Sequence, residues 1–374
     1  MKFDYLIVGS GYTGCVLAER ISNLLDKKVL LVEKRNHIGG NSYDHYDEQG
    51  ILVHKYGPHI FHTMSKKVWD YLSGFTAWKQ YYHHVLAMIE GKKVPVPFNL
   101  NSIYNLFPPN YAGKLEDLLT GTYGYGIKIP ILKLKETKNP ELKFLADYIY
   151  KNVFYGYTLK QWGLKPEELD YTVTSRVPVY ISRDDRYFQD PYQGIPANGY
   201  TAMFKKMISH KNIHLLLNTD YKDIIEDIKF DKMIYSGHID YFFDEMFGRL
   251  PYRSLEFDFK TYNTEQYQQV AQVNYPNDHN YTRITEFKHF SGQQHPRTSV
   301  AYEYPVEYEK GKNDPYYPVP NQENHDAFAK YRKEADKLEG SVYFTGRLAD
   351  YKYYNMDQTV AVALMLFEKK IAES

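Results

Sequence analysis

The sequence predicts an α/β protein: a discontinuous Rossmann-like domain with a helical insertion domain and an antiparallel β-sheet domain carried between its parts. Three observations predict it. Gly9, Gly11 and Gly14 form a GxGxxG spacing between an apolar run, Phe3 to Val8, and a run of helical periodicity reaching Arg20. A second apolar strand, Val29 to Val32, ends at Glu33, about 20 residues beyond the glycines, where a dinucleotide-binding βαβ unit places an acidic side chain on a ribose hydroxyl. A third strand, in SVYFTG, ends at Gly346 and feeds a long helix, so the chain returns to its first domain at the far end.

Each element has a physical reason. Gly9 allows the tight turn, Gly11 leaves no side chain where the backbone approaches a pyrophosphate, and Gly14 lets helix and strand pack closely, while the helix N-terminus holds the phosphates. After Glu33 the run EKRNHIGGN adds a second glycine turn at Gly39, Gly40 and Asn41. A second loop without side chains can pass close to a long, extended cofactor, which favours FAD over NAD. The next segment, HKYGPHIFHT, holds His54, His59 and His62. No carboxylate or cysteine stands at ligand spacing beside them, so no metal site is expected.

The texture changes near Pro95. Asn139 and Pro140 read as helix N-cap and first-turn proline, and Leu142, Leu145, Ile149 and Val153 recur at helical spacing to Gly156. Pro166, Glu167 and Glu168 open another short helix. From Tyr171 to Tyr187 and from Tyr252 to Glu303, alternating runs such as YRSLEFDFK and YTRITEFKHF read as antiparallel strands. Between them GYTAMFKKMIS is a helix, NIHLLLNTD a strand, and DKMIYSGHID a strand ending in Gly237, all returning to the nucleotide layer. The last helix sets Val360, Ala363, Leu364 and Phe367 on one face, with its N-terminal dipole available to the pyrimidine end of a flavin. The resulting division is a Rossmann-like FAD-binding domain over 1–80, 198–245 and 320–374, a helical domain over 98–170, and a sheet domain over 81–97, 171–197 and 246–319.

Composition sets outer bounds. With 374 residues and 43% hydrophobic content, the chain can bury two or three cores. Lys plus Arg and Asp plus Glu balance at 46 each, so no global field attracts nucleic acid or an anionic membrane, and an anionic ligand must meet local arginines. The single cysteine, Cys15, excludes an intrachain disulfide framework and is expected to be buried on the first helix. No stretch approaches about 18 consecutive apolar residues, so a soluble, cytoplasmic protein is expected. The 39 tyrosines are unusual, and most are read as structural; a minority can line a pocket that stacks a base and hydrogen-bonds phosphate or sugar.

Four segments together resemble the UDP-galactopyranose mutase family: GSGYTG with EKRNHIGGN, YTLKQWG at 157–163, YTRITE at 281–286 and GRLADYKYYNMDQ at 346–358. The first and last fit many flavoproteins; the middle pair discriminates. The resemblance implies an isomerase that interconverts UDP-galactopyranose and UDP-galactofuranose, a step in cell-surface polysaccharide biosynthesis. In it, N5 of reduced FAD attacks the anomeric carbon, UDP leaves, and a covalent flavin–sugar intermediate divides the ring contraction into smaller steps.

The resemblance also implies site residues. Arg176, in a loop that closes over substrate, and Arg283 would clasp the diphosphate, with Arg253 and Asn274 as further substrate contacts. Tyr157 would stack the uracil, Phe154 lies one turn before it, and Trp162 lies near sugar and flavin. Tyr187, Tyr317 and Tyr353 would hydrogen-bond the diphosphate or border the galactose. His59 would support the flavin N5 region and is grouped with Arg176 and Arg283 as catalytic. The cofactor set comprises Gly9, Gly11, Thr13, Gly14, Glu33, Lys34, Gly39, Gly40, Asn41, His59, Gly346, Arg347, Tyr353, Asn355, Met356 and Asp357. A cellular reductant (NADPH, NADH or a reductase) and a homodimer are expected. Asn355 stands where some relatives carry aspartate, and His83 and His84 fall where an asparagine is often found. Two other readings use the same scaffold: a flavin-dependent amine or carbon–carbon oxidoreductase, and a non-catalytic binder similar to GDP-dissociation inhibitors.

Overall fold

The computed structural model describes residues 2–169 and 177–372. Two compact units are present, one formed by Met1–Tyr81, Asp190–Pro251 and Gln322–Ser374, the other by Tyr82–Gln189 and Tyr252–Asn321. The helical segment and the antiparallel sheet, separate domains in the sequence reading, share the second unit. Among the described residues no helix is long and apolar enough to cross a membrane.

The first unit is a five-stranded parallel sheet in the order Ile213–Leu216, Val29–Val32, Lys2–Val8, Lys229–Tyr235, Val342–Phe344. All four residues of Val29–Val32 are buried, the continuous apolar run that a parallel strand covered on both faces requires. The helix Tyr12–Leu25 buries Val16, Leu17 and Ile21, and the C-terminal helix Met356–Leu366 packs on it through Val360, Ala363 and Leu364. Those positions and Phe367 form the apolar face expected from the spacing. Cys15 is buried, its thiol donates to the Ser10 carbonyl at 3.1 Å, and burial pushes its pKa up, away from reactivity. A smaller sheet pairs Tyr192–Pro196 with Phe61–Thr63 and Trp78–Gln80.

The second unit carries a seven-stranded sheet in the order Tyr317–Pro318, Tyr252–Tyr262, Thr298–Glu307, Arg283–Glu286, Gln272–Asn274, Val85–Ile89, Lys92–Val96. Its pairs are antiparallel except Gln272–Asn274 with Val85–Ile89. Helices Leu100–Leu106, Pro109–Tyr123 and Pro140–Ile149 bury a common core, with Asn139 capping the last by accepting from the Glu141 and Leu142 amides at 3.0 and 3.2 Å.

Two expectations are corrected. The helix from Pro140 does not stop at Gly156; it runs through a π-helical turn, Tyr150–Tyr155, into Gly156–Trp162, and ends at Gly163 in the left-handed conformation, φ 70°. Gly156 is required by crowding, because a Cβ there would lie 2.5 Å from the Pro276 carbonyl oxygen. The strand read over YTRITEFKHF also shortens to Arg283–Glu286, followed by a helical turn, Lys288–Ser291. Lys288 turns inward there to donate to the carbonyls of Glu265, His295 and Arg297, which breaks the alternation.

Candidate active site

The cofactor set lies in the first unit, and its glycines do two separable jobs. Gly14 is a packing glycine, since a Cβ on it would lie 1.8 Å from the Gly9 carbonyl oxygen. Gly9 has φ +98° and would place a Cβ 2.4 Å from Ser236 Oγ. Gly11 has no such crowding, as its nearest neighbour would be the Gly40 Cα at 3.8 Å. It is the N-cap of the first helix and supplies no side-chain hydrogen bond, so the first-turn amides are not capped by it. Gly40 in turn would meet the Gly11 Cα at 3.1 Å, and the Gly39 amide donates to the Ser10 carbonyl at 2.9 Å. Two side-chain-free loops therefore lie back to back at a helix N-terminus, a cradle suited to a pyrophosphate.

The buried Glu33 accepts from the Ser10 amide and hydroxyl at 2.9 and 2.8 Å and from the Arg35 amide at 2.9 Å. A carboxylate has about four acceptor sites, so one more donor, such as a ribose hydroxyl, can be served. Lys34 points outward, 3.5 Å from Asp220, and Asn41 accepts from Arg35 at 2.9 Å. Gly346, at φ +103°, would place a Cβ 2.8 Å from Thr13 Oγ1, which joins the C-terminal strand end to the first helix. Arg347 lies over the Tyr353 ring at 5.0 Å and donates to the Tyr354 carbonyl at 2.5 Å. Asn355 caps the last helix, and Ser42 contacts Met356 Sδ at 3.6 Å. Asp357 accepts from Thr63 at 2.9 Å through one oxygen, while the other is buried with no protein partner.

His59 is held from three sides. Its ring Nδ1 meets the Gly57 carbonyl at 2.8 Å, its amide donates to His54 Nδ1 at 3.1 Å, and the Tyr200 hydroxyl donates to its carbonyl at 3.1 Å. His62 pairs with Asp190 at 2.9 Å. Among the described residues no three His, Cys, Asp or Glu side chains group to hold a metal ion.

Full burial lowers the pKa of His54 to about 3, so it is a neutral acceptor at Nδ1. Its folded pKa lies below the unfolded value of 6.5, so stability is whole above pH 6.5 and is lost as pH falls toward 3, because the unfolded chain takes a proton that the folded one refuses. The expected loss is about 1.4 kcal/mol per pH unit over that window. Urea unfolding at pH 7 and pH 5 checks it; His54→Asn, which keeps an acceptor for the His59 amide, should show a pH slope shallower by about that amount.

The described members of the substrate set lie in the second unit, except Tyr353. Cross-strand partners point to the same side of a sheet, as do residues two or four apart on one strand. The register pairs Arg253 with Tyr317 and Glu307, and Arg283 with Glu303 and Asn274. Tyr317, Arg253, Asn274 and Arg283 therefore share one face. The opposite face carries Tyr302, whose hydroxyl meets those of Tyr262 and Tyr267 at 2.9 and 2.8 Å, a structural use of tyrosine.

Arg283 is the electrostatic centre of that face. Its Nε donates to the fully buried Glu303 at 2.7 Å, and among the described residues its two terminal nitrogens have no hydrogen-bond partner. Burial opposes its charge, but Glu303, with Tyr157 and Tyr317 adding to the field, outweighs this and holds the guanidinium pKa above its ordinary value. The Trp162 ring lies 5.7 Å from that of Tyr317. Arg253 directs Nε to the Gln161 carbonyl at 3.1 Å and Nη2 to the Lys160 carbonyl at 3.4 Å. The structure thus groups Tyr157, Trp162, Arg253, Asn274, Arg283 and Tyr317. It places Phe154 and Tyr187 against the core of the helical segment, with Tyr187 beside His83 and Phe188. Arg176 lies outside the described residues.

Three participants escape a reading of the sequence. Glu303 is one acid in an alternating strand, and only register pairs it with Arg283. Lys160 donates to the Tyr275 carbonyl at 2.8 Å, tying its helix to the loop before Arg283. Gln161 Oε1 is buried without a protein partner, one helical turn beyond Tyr157 on the same side.

The chain matches two family descriptions: UDP-galactopyranose mutase over residues 152–353 and NAD(P)-binding Rossmann-like domain over residues 7–75. It is 37% identical over 367 residues to a probable UDP-galactopyranose mutase of Klebsiella pneumoniae, covering 96% of this chain and 93% of the relative. It is 35% identical over 373 residues to a dTDP-fucopyranose mutase of Escherichia coli, covering 96% of both. A crystal structure of reduced UDP-galactopyranose mutase superposes with a TM-score of 0.75 at 16% identity, covering 100% of this chain and 95% of that one.

Proposed function

Because the chain belongs to the UDP-galactopyranose mutase family and is an isomerase of that kind, we propose that it interconverts UDP-galactopyranose and UDP-galactofuranose with FAD, in its reduced form, as cofactor. One observation carries the reading to a nucleotide sugar: Arg283, charged and held by Glu303, keeps two donors for an anion, with Tyr157 and Tyr317 in its electrostatic surroundings. Arginine and tyrosine together suit a nucleoside diphosphate, the guanidinium by its planar fork and the rings by stacking.

The residues present fit FAD. The Gly11 and Gly40 loops would hold its pyrophosphate, Glu33 a ribose hydroxyl, and the segment around Asn355, Met356 and Asp357 its ring end, where Asp357 keeps an unpartnered oxygen. Bound and reduced, FAD supplies a nucleophilic N5 for the anomeric carbon and is restored without net redox change.

The remaining work belongs to the chain. Arg283 stabilises the diphosphate as it departs and retains it for return, acting from a fixed position because Glu303 anchors its Nε. Tyr157 stacks the uracil, Trp162 and Tyr317 border the sugar, and Arg176 is assigned from the sequence as a second diphosphate arginine. His59 holds its loop in place through its backbone bonds to His54 and Tyr200. No side chain is assigned as general base. The working form is a cytoplasmic homodimer reduced by NADPH, NADH or a reductase.

Chromatography of UDP-galactofuranose incubated with the purified yellow protein tests the proposal. Dithionite-reduced protein should convert it to UDP-galactopyranose, and oxidised protein should be nearly inactive; equal turnover in both states would remove the role of reduced cofactor. The E. coli relative favours a second reading, dTDP-fucopyranose as substrate. Turnover of the dTDP sugar alone would establish it instead.

A further inference from the structure

We infer that Arg253 is a positioning residue for this reaction, a cation that caps the C-terminus of the helix Gly156–Trp162 and so fixes Tyr157 and Trp162, in place of a contact to the diphosphate. The inference rests on the functional reading above.

The last carbonyls of a helix have no partner within it. Here each of three is accounted for. The Leu159 carbonyl accepts from the Gly163 amide at 2.9 Å, the Gln161 carbonyl from Arg253 Nε at 3.1 Å, and the Lys160 carbonyl from Arg253 Nη2 at 3.4 Å. Nη1 lies against Gly163, 3.6 Å from where a Cβ would stand, and the left-handed glycine leaves that approach open. Two of the three guanidinium nitrogens, Nε and Nη2, thus donate to the helix end, and that edge of the fork is spent on carbonyl oxygens. A cation at a helix C-terminus also meets the negative end of the macrodipole.

The rest of this helix is pinned elsewhere. Lys160 Nζ donates to the Tyr275 carbonyl at 2.8 Å, Asn277 Nδ2 donates to the Asn152 carbonyl at 3.0 Å, and Gly156 sits against the Pro276 carbonyl. Those ties hold its body and the preceding π-helical turn. The end that presents Trp162 is held by Arg253, whose strand partner Tyr317 receives the Trp162 ring. Arg283 differs in kind: one nitrogen is anchored and two remain available.

UDP affinity measured by calorimetry across a sodium chloride series separates the two roles, since a charge that touches phosphate contributes to the salt dependence. The proteins are the flavin-loaded wild type, Arg253→Met, Arg253→Lys and Arg283→Gln. Arg283→Gln should flatten the salt dependence. Arg253→Met should keep the wild-type slope while kcat falls about 10-fold or more, and Arg253→Lys should recover part of kcat. In a Trp69→Phe/Trp78→Phe background, Arg253→Met should also shift Trp162 emission in the absence of UDP. A flattened slope in Arg253→Met, with Trp162 emission unchanged, would overturn the inference. A wild type that bound no UDP would overturn the functional reading instead, and the emission shift would still report whether Arg253 orders the helix end.

Discussion

Arg283→Ala should lower kcat/KM by about 10³-fold while the protein keeps its flavin, because it removes a preorganised donor pair from the place where the leaving diphosphate gathers charge. Two effects overlap in that variant and can be separated. Glu303 is fully buried and its partner would be gone, which costs about 3–5 kcal/mol of stability when one member of a buried pair is removed. Arg283→Ala/Glu303→Gln relieves that uncompensated charge, so urea unfolding should recover much of the stability. Turnover should stay lost, because neither side chain now serves the diphosphate. Arg283→Lys keeps the charge as a single point without the fork, and intermediate activity is expected. Steady-state kinetics on the three variants, each with its flavin absorbance recorded, checks the set. Full activity in Arg283→Ala/Glu303→Gln would remove Arg283 from the reaction.

Gly14→Ala and Gly11→Ala should fail in different ways. At Gly14 the added carbon would sit 1.8 Å from the Gly9 carbonyl oxygen, so the helix must move off the strand, and a loss above about 3 kcal/mol is expected, with little flavin retained. At Gly11 the same carbon meets its nearest neighbour at 3.8 Å, and the backbone, φ −75° and ψ −165°, suits alanine. Stability should then change by less than about 1 kcal/mol. FAD affinity should nevertheless fall at least 10-fold, since the carbon stands where the backbone must approach a pyrophosphate. Thermal unfolding of the flavin-free protein together with FAD titration distinguishes a packing glycine from an approach glycine. Equal FAD affinity in Gly11→Ala and wild type would place the cofactor elsewhere.

Local chemistry made much of this legible in advance. The turn at Gly9, the acidic strand end at Glu33, the Asn139 cap and the apolar faces of the Pro140 and Met356 helices each depend on residues close in sequence, and each lies where spacing places it. What escaped depends on partners far along the chain. Gly156 reads as a terminator until Pro276, 120 positions later, is seen pressed against it. Glu303 and Arg283 become a pair only through strand register, and Lys288 looks like a surface residue until three carbonyls converge on it. Arg253, read as a ligand arginine, is held by a helix end that lies about 90 residues before it.

The register of the parallel sheet has a consequence for how the chain is made. Lys2–Val8, the central strand, pairs on one side with Val29–Val32 and on the other with Lys229–Tyr235. At a synthesis rate of about 5–20 residues per second, one edge of that strand emerges from the ribosome roughly 10–45 s before its partner exists. Unpaired edges of this kind invite pairing with other chains, so a nascent chain must shelter an apolar strand through most of its own translation. The helical part of the second unit is made within that interval and its sheet is completed by Tyr317–Pro318, while Val342–Phe344 and the helix Met356–Leu366 come later still, so the interrupted domain closes last. Slower translation across the intervening segment should therefore raise the fraction of aggregated product.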